Sequence, residues 1–212
     1  TRLQVEHPVT EMISGLDLVK WQLSVAAGEP LPLKQDELAF RGHSIEARIY
    51  AENPAKGFLP STGMLRHMRT PQGIEFRPSP DGKREPLRVD SGVRQGDAIT
   101  PHYDPMIAKL VVWGEDRETA LGRMRAALAE TEIIGVSTNV EFLARTVAGR
   151  AFSCADLDTG LIERCRDELF PAQSAASDED LAAAALAELL AEQAHAAAAA
   201  SASGDPHSPW NI

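Results

Sequence analysis

The chain of 212 residues is short of aromatics, which make up 5% of it, and it holds two cysteines. So low an aromatic fraction in a chain of otherwise globular composition points to a stretch outside any packed core. The deficit is localised: residues 171–212 contain 16 alanines, no Lys or Arg, and no aromatic before Trp210. Cys154 and Cys165 form no C-x-x-C and have no flanking His-x-x-x-His, which excludes a zinc site and a disulfide framework and leaves plain thiols of a reducing cytoplasm. No apolar run approaches the ~20 residues that span a bilayer, and the opening Thr1-Arg2-Leu3-Gln4 has neither an initiator Met nor the apolar stretch of a signal peptide. Clustered positive charge is lacking too. Of the ten net negative charges six lie in residues 171–212, so the remainder is only mildly acidic and offers no field for nucleic acid or an anionic membrane. Absent as well are G-x-x-x-x-G-K-[ST], G-x-G-x-x-G and G-x-S-x-G, so nothing cradles a phosphate or a nucleophile unaided.

What is present fills about one and a half domains at ~150 residues each. Arg2, Gln4 and Glu6 alternate with Leu3 and Val5, the pattern of a half-buried strand that Pro8 ends. Ser14 with Asp17 resembles a capping box for a helix carrying Leu16, Val19, Leu23 and Ala27 up to Gly28. After Gly42 a second strand puts Ile45, Ala47 and Ile49 on one side and Ser44, Glu46, Arg48 and Tyr50 on the other. Short runs from Gly63 to Val93, among them 64–68, 74–77 and 87–89, are broken by Pro and Gly and suggest an antiparallel sheet or small barrel. Residues 106–113 suit a strand buried on both faces, Asp116 caps a helix with a stripe of Ala120, Met124, Ala127 and Leu128, and 133–136 suits a short strand. Helices are expected over 140–147 and 159–169, and Ser177 with Asp180 opens an alanine-rich helix running to about Ala200, which Ser201 to Pro209 break. The expected class is α+β: an antiparallel sheet or small barrel with packed helices, then a linker helix. Both ends read as interior to a longer chain, the last residues, 206–212, opening a further domain.

Arg2, Gln4 and Glu6 on one strand face would bring together an anion-binding fork, an amide and a carboxylate, able to hold a small oxyanion and deprotonate it. The pattern alone favours a plainer account, a solvated strand face with a cross-strand ion pair. His7 beside a proline is more often structural than catalytic. Arg48 with Glu46 is by pattern a surface salt bridge, and His102 with Asp104 in Pro101–Pro105 is a braced turn rather than an acid–base couple.

The words Thr1-Arg2-Leu3-Gln4-Val5-Glu6-His7-Pro8-Val9-Thr10-Glu11 resemble the active-site signature of biotin carboxylases, ATP-grasp enzymes that carboxylate biotin with bicarbonate. Gly15–Val19, Arg41–Ile49, Phe58–Ser61, Tyr103–Leu110 and Gly135–Val140 are similar to that family's carboxy-terminal segment, in the same order. The likeness covers residues 1–170, with 171–205 as the linker. It implies that Arg2 orients bicarbonate, that Gln4 and the Val5 backbone bind the same anion, that Glu6 is the general base and that Arg48 faces the biotin ureido oxygen. It also implies ATP, Mg2+ or Mn2+, and biotin as cofactors, and carboxyphosphate as the intermediate. The family's metal ligands, nucleotide-binding lysines and glycine-rich lid would precede Thr1, so no metal site is expected within the chain and the isolated 212 residues should be inactive. No Met-Lys biotinylation pair occurs, which places the biotin on a separate carrier domain.

The ending Asp205–Trp210 is similar to the passage into the next domain of acyl-CoA carboxylase α subunits, most like the methylcrotonyl-CoA carboxylase branch of leucine degradation, ahead of the propionyl-, geranyl- and acetyl-CoA branches. That resemblance implies a carboxyltransferase subunit as partner, an oligomer and a cytoplasmic ligase. The competing reading is a non-catalytic assembly or linker module of the same complex.

Overall fold

A computed structural model describes residues 2–74, 85–172 and 175–202. In chain order the elements are α1 (His7–Ser14), α2 (Leu18–Ala26), β1 (His43–Tyr50), β2 (Glu52–Asn53), β3 (Leu59–Pro60), β4 (Gly63–Met64), β5 (His67–Arg69), β6 (Leu87–Ser91), β7 (Ala98–Ile99), β8 (Met106–Gly114), α3 (Arg117–Ala129), β9 (Glu132–Ile134), α4 (Val140–Ala148), α5 (Arg150–Ser153), α6 (Leu161–Arg164), α7 (Arg166–Leu169) and α8 (Asp178–Ala202), with two single 3-10 turns at Gln35–Glu37 and Pro54–Lys56. The chain divides into two units, Thr1–Pro171 and Ala172–Ile212.

The first unit is built on an antiparallel sheet in the order β1-β8-β6. β8 is central and carries Ile107, Ala108, Leu110, Val111 and Val112, all at most 2% exposed, as its almost unbroken apolar run requires. The register sets Ile45, Ala47 and Ile49 of β1 beside Val112, Leu110 and Ala108. Onto this apolar side pack Ala120, Leu121, Met124 and Leu128 of α3, whose N-terminus is capped by Asp116 accepting from the Thr119 N–H at 2.7 Å. The other side of the same three strands is polar, and α1 packs against β1 and β8. Around this sheet stand three two-stranded ladders, β2-β3, β4-β7 and β5-β9.

Several expectations are corrected. Residues 2–6 form no strand: the His7 N–H donates to the Gln4 carbonyl at 3.1 Å and the Val9 N–H to the Glu6 carbonyl at 3.0 Å, winding the segment into a turn that enters α1. Pro8 opens that helix, where its missing N–H costs nothing. Ser14 is not a cap either. α1 ends on Gly15 in the left-handed region (φ 76°), and α2 is capped by Asp17, which accepts from the Lys20 N–H at 2.8 Å. No closed barrel forms among the described residues: β1 pairs only with β8, β6 adds to β8 only the single bridge from Ile74, and the flanking ladders are two or three residues long. The helix expected over 159–169 breaks into α6 and α7 at Cys165, and the strand expected at 133–136 is β9, since Gly135 takes a positive φ of 118°. Of the run at 74–77, Ile74 bridges Arg88; residues 75–77 lie outside the described residues, as do the breaker segment after Ala202 and the closing 206–212.

Among the described residues of the second unit the one element is α8. Ser177 and Asp180 make the reciprocal capping bonds at 3.1 Å, with Asp178, Glu179 and Asp180 in the first turn. Leu181, Leu186, Leu189 and Leu190 are 56–59% exposed, as befits a helix with little to bury.

Candidate active site

On the polar side of the sheet, directly opposed residues line up across all three strands. One row is Arg48, Lys109 and Asp90; the next is Glu46, Val111 and Arg88. The period-two alternation of β1 and β6 thus builds a lattice of charge in which each cation has an acid two residues away on its own or the adjoining strand.

Arg48 is the outermost cation and leans over the N-terminus of α1. Its Nε donates to Glu46 Oε1 at 3.0 Å and an Nη to Glu6 Oε2 at 2.9 Å. Glu6 is the N-cap residue of α1 but makes no side-chain cap bond, so its carboxylate is free for Arg48. With side chains 37% and 53% exposed, the Arg48–Glu6 pair contributes about 0–1 kcal/mol to stability. Its value lies in where it puts the groups. The hydrogen bond to Glu46, only partly opposed by burial, holds the Arg48 guanidinium above its usual pKa, so it stays charged throughout the working range. Glu46 is costlier: its side chain is 6% exposed and Oε2 has no partner, a desolvation of about 1–3 kcal/mol.

Deeper in the same lattice Arg88, 1% exposed, forks onto Asp90 (2.7–3.0 Å) and reaches Glu11 of α1 at 2.6 Å. Two acids lift the Arg88 pKa although burial, the largest influence, pulls it down. The other oxygen of Glu11 accepts from the Leu18 N–H at 2.7 Å and so joins α1, the start of α2 and β6. Lys109 donates to the Val5 carbonyl at 3.0 Å. A cleft of about 640 Å3, lined by His7, Asp17, Lys20, Arg88, Asp90 and Lys109 among others, opens beside this network.

Of the residues singled out in the sequence, Glu6 and Arg48 are in contact, and Val5 is tied to the sheet through its carbonyl. Arg2 and Gln4 are exposed, and their side chains make no hydrogen bond or ion pair among the described residues, so the shared strand face expected for Arg2, Gln4 and Glu6 does not exist. His7 is structural, its Nδ1 donating to the Gln4 carbonyl at 2.8 Å. Asp104 braces its turn by accepting from the Met106 N–H at 2.9 Å, and His102 is exposed. Not legible in the sequence were Glu46 as a buried partner of Arg48, and the Glu11–Arg88–Asp90 and Lys109 contacts. The signals available were the i, i+2 charges of β6 and the lone lysine in the apolar run of β8.

Other recurring words prove to be scaffolding. Asn139 accepts from the Tyr50 N–H at 2.8 Å and donates to the Arg48 carbonyl at 3.0 Å, holding the end of β1 where its register shifts between Ile49 and Tyr50. Phe58 stacks edge-on against Phe142 at 5.0 Å, and Ser61 Oγ accepts from the Ser137 N–H.

Among the described residues no three His, Cys, Asp or Glu side chains gather as a metal-ligating group, so a divalent cation has no fitting donor set in them. A ureido oxygen does fit Arg48, which is 37% exposed and presents a fork of N–H donors oriented by two carboxylates.

Residues 46–164 match the family described as Biotin carboxylase C-terminal domain, and residues 1–34 match Carbamoyl-phosphate synthase L chain, ATP binding domain. The mitochondrial methylcrotonoyl-CoA carboxylase α subunit of Dictyostelium discoideum is 50% identical over 211 residues, covering 100% of this chain and 28% of the relative; that of Rattus norvegicus is 46% identical over 212 residues, again 100% and 28%. The chain thus spans little more than a quarter of these relatives. Among solved structures, the biotin carboxylase domain dimer of Hydrogenobacter thermophilus 2-oxoglutarate carboxylase, in complex with MgADP, ADP and bicarbonate, is 42% identical with a TM-score of 0.74, over 82% of this chain and 36% of that one. On sequence and on fold alike, the chain belongs to the biotin carboxylase C-terminal domain family.

Proposed function

We propose that the chain is the carboxy-terminal part of the biotin carboxylase component of an acyl-CoA carboxylase α subunit, of the methylcrotonoyl-CoA branch. The observation that carries this reading is the 2.9 Å contact between Glu6 and Arg48, which joins the Arg2–Glu11 signature to the β1 arginine across 42 residues. Bicarbonate would lie over residues 2–6, held by Arg2, Gln4 and the Val5 N–H, with Glu6 removing its proton. ATP supplies the phosphoryl group that activates the bicarbonate as carboxyphosphate. Arg48 would face the biotin ureido oxygen and stabilise the negative charge that develops there during carboxylation, a donor already oriented by Glu46. The Glu6–Arg48 contact suits both roles, since each side chain orients the other.

The parts supplied from outside these residues would be the nucleotide and metal sites, a biotin carrier domain and a carboxyltransferase subunit, in an oligomer. By the sequence reading the protein is cytoplasmic, while the eukaryotic relatives are named as mitochondrial. Among the described residues no helix is long and apolar enough to cross a membrane.

The test is bicarbonate-dependent ATP cleavage and biotin carboxylation by the intact parent protein. Arg48→Ala should lower carboxylation about 10²–10³-fold, the loss seen when one preorganised donor is removed, and Arg2→Ala should abolish bicarbonate-dependent ATP cleavage. Unchanged turnover in both variants would sink the assignment.

A further inference from the structure

Arg48 and Lys109 stand directly opposite each other on β1 and β8, and like charges so placed repel. Arg48 is countered by Glu46 and Glu6. Lys109 is 3.8 Å from Asp90 and adds a second cation beside the Glu11 and Asp90 carboxylates, but that contact is long and Asp90 is held more closely by the two-pronged grip of Arg88, so the ion pair does not account for the closer contact that Lys109 makes. Its side chain is only 12% exposed, although an ammonium is strongly hydrated and gains most from solvent. What it does with its position is donate to the Val5 carbonyl at 3.0 Å, 104 residues away along the chain.

That contact falls on a segment with little else to hold it. The backbone bonds of residues 4–6 are local turns into α1. Among the described residues, the hydrogen bonds that tie this segment to the sheet come from Arg48 to the Glu6 carboxylate and from Lys109 to the Val5 carbonyl. The opposed cations therefore grip two consecutive residues, one by its side chain and one by its backbone. Fixing the Val5 carbonyl limits rotation about Val5 and so orients the preceding peptide, whose N–H belongs to Val5.

We propose that Lys109 is a positioning residue for the anion-binding segment: its ammonium holds the Val5 carbonyl so that the Val5 N–H and the Glu6 carboxylate present one pre-formed surface to a small oxyanion. This rests on the bicarbonate site proposed above and deepens it.

The test uses the intact parent carboxylase, with KM measured separately for bicarbonate, ATP and free biotin. Lys109→Met keeps the length of the side chain and removes the donor. It should raise the bicarbonate KM about tenfold, as loss of one charge-assisted hydrogen bond implies, while the ATP KM stays within about twofold. Lys109→Arg restores charge and donor and should bring the bicarbonate KM back to within about threefold of wild type. If the Met variant does not fold, Lys109→Gln takes its place against Lys109→Arg with the same order expected. An unmoved bicarbonate KM, parallel rises for bicarbonate and ATP, or an Arg variant no better than Met would each overturn the role of Lys109. A wild-type parent without bicarbonate-dependent ATP cleavage would instead overturn the proposed function, so the two failures are distinguishable.

Discussion

Replacing Arg88 by Met takes from two buried carboxylates the cation they share. In the native chain Arg88 lies 2.6 Å from Glu11 and 2.7 Å from Asp90, with the three side chains 1–2% exposed. Removing one partner of such a group costs about 3–5 kcal/mol, because the remaining charge stays buried and has lost its closest counter-ion. Lys109 stays 3.8 Å from Asp90, which places the expectation near the lower end, about 3 kcal/mol. For a folding unit of this size that corresponds to a fall in Tm of roughly 6–12 °C, read by calorimetry at neutral pH. Adding Glu11→Gln and Asp90→Asn to Arg88→Met removes both buried charges and should recover half or more of the loss, since it is the buried ion rather than the missing pair that is costly. A loss under about 1 kcal/mol for Arg88→Met, the range of exposed ion pairs, would refute the reasoning and mean that both acids reach water.

Three further outcomes follow from the geometry. His43 is held below its ordinary value of 6.5, first by burial and then by the adjacent Arg117; a lowered folded pKa makes the unfolded chain bind more protons, so stability is lost as pH falls below 6.5, and urea titrations at pH 5 and pH 8 should show a smaller difference for His43→Gln than for wild type. Gly135→Ala puts a Cβ 1.9 Å from the Met64 carbonyl oxygen at a φ of 118°; strain of that kind costs about 1–3 kcal/mol before the clash is counted, and a variant melting with wild type would contradict this close approach of the Gly135 and Met64 backbones. Glu46→Ala frees the Arg48 guanidinium to swing and should lower biotin carboxylation by the parent about tenfold with the melting temperature preserved or raised, because a buried oxygen without a partner is removed along with it; Glu46→Gln, which retains the acceptor on Arg48, should keep most of the activity.

The parts of the fold legible in the sequence are those where a local pattern repeats long enough to average out exceptions. β1 alternates over eight residues, β8 is apolar over nearly its whole length, and α3 has both an Asp cap and a stripe at helical spacing. Residues 2–6 alternate as cleanly but over five positions only, too few to distinguish a strand from a turn. Pro8 was equally ambiguous, since it ends a strand as readily as it opens a helix. Ser14 and Asp17 both suit a cap, and Gly15 decided between them by ending α1 first.

The candidate site divides along the same line. Which residues carry the chemistry was written in the order of the chain: Arg2, Gln4, Val5 and Glu6 in one unbroken word, Arg48 in another. How they meet was not. The contact of Glu6 with Arg48 closes 42 residues and that of Val5 with Lys109 closes 104, and both depend on the register that sets Arg48, Lys109 and Asp90 in one row across three strands. Glu46 and Arg88 look from the sequence like surface charges on alternating strands, and they are buried because α1 packs on that side of the sheet. Periodicity records which side of a strand a residue faces, whereas burial of that side, and with it the worth of every charge on it, is settled only by what the rest of the chain brings to cover it.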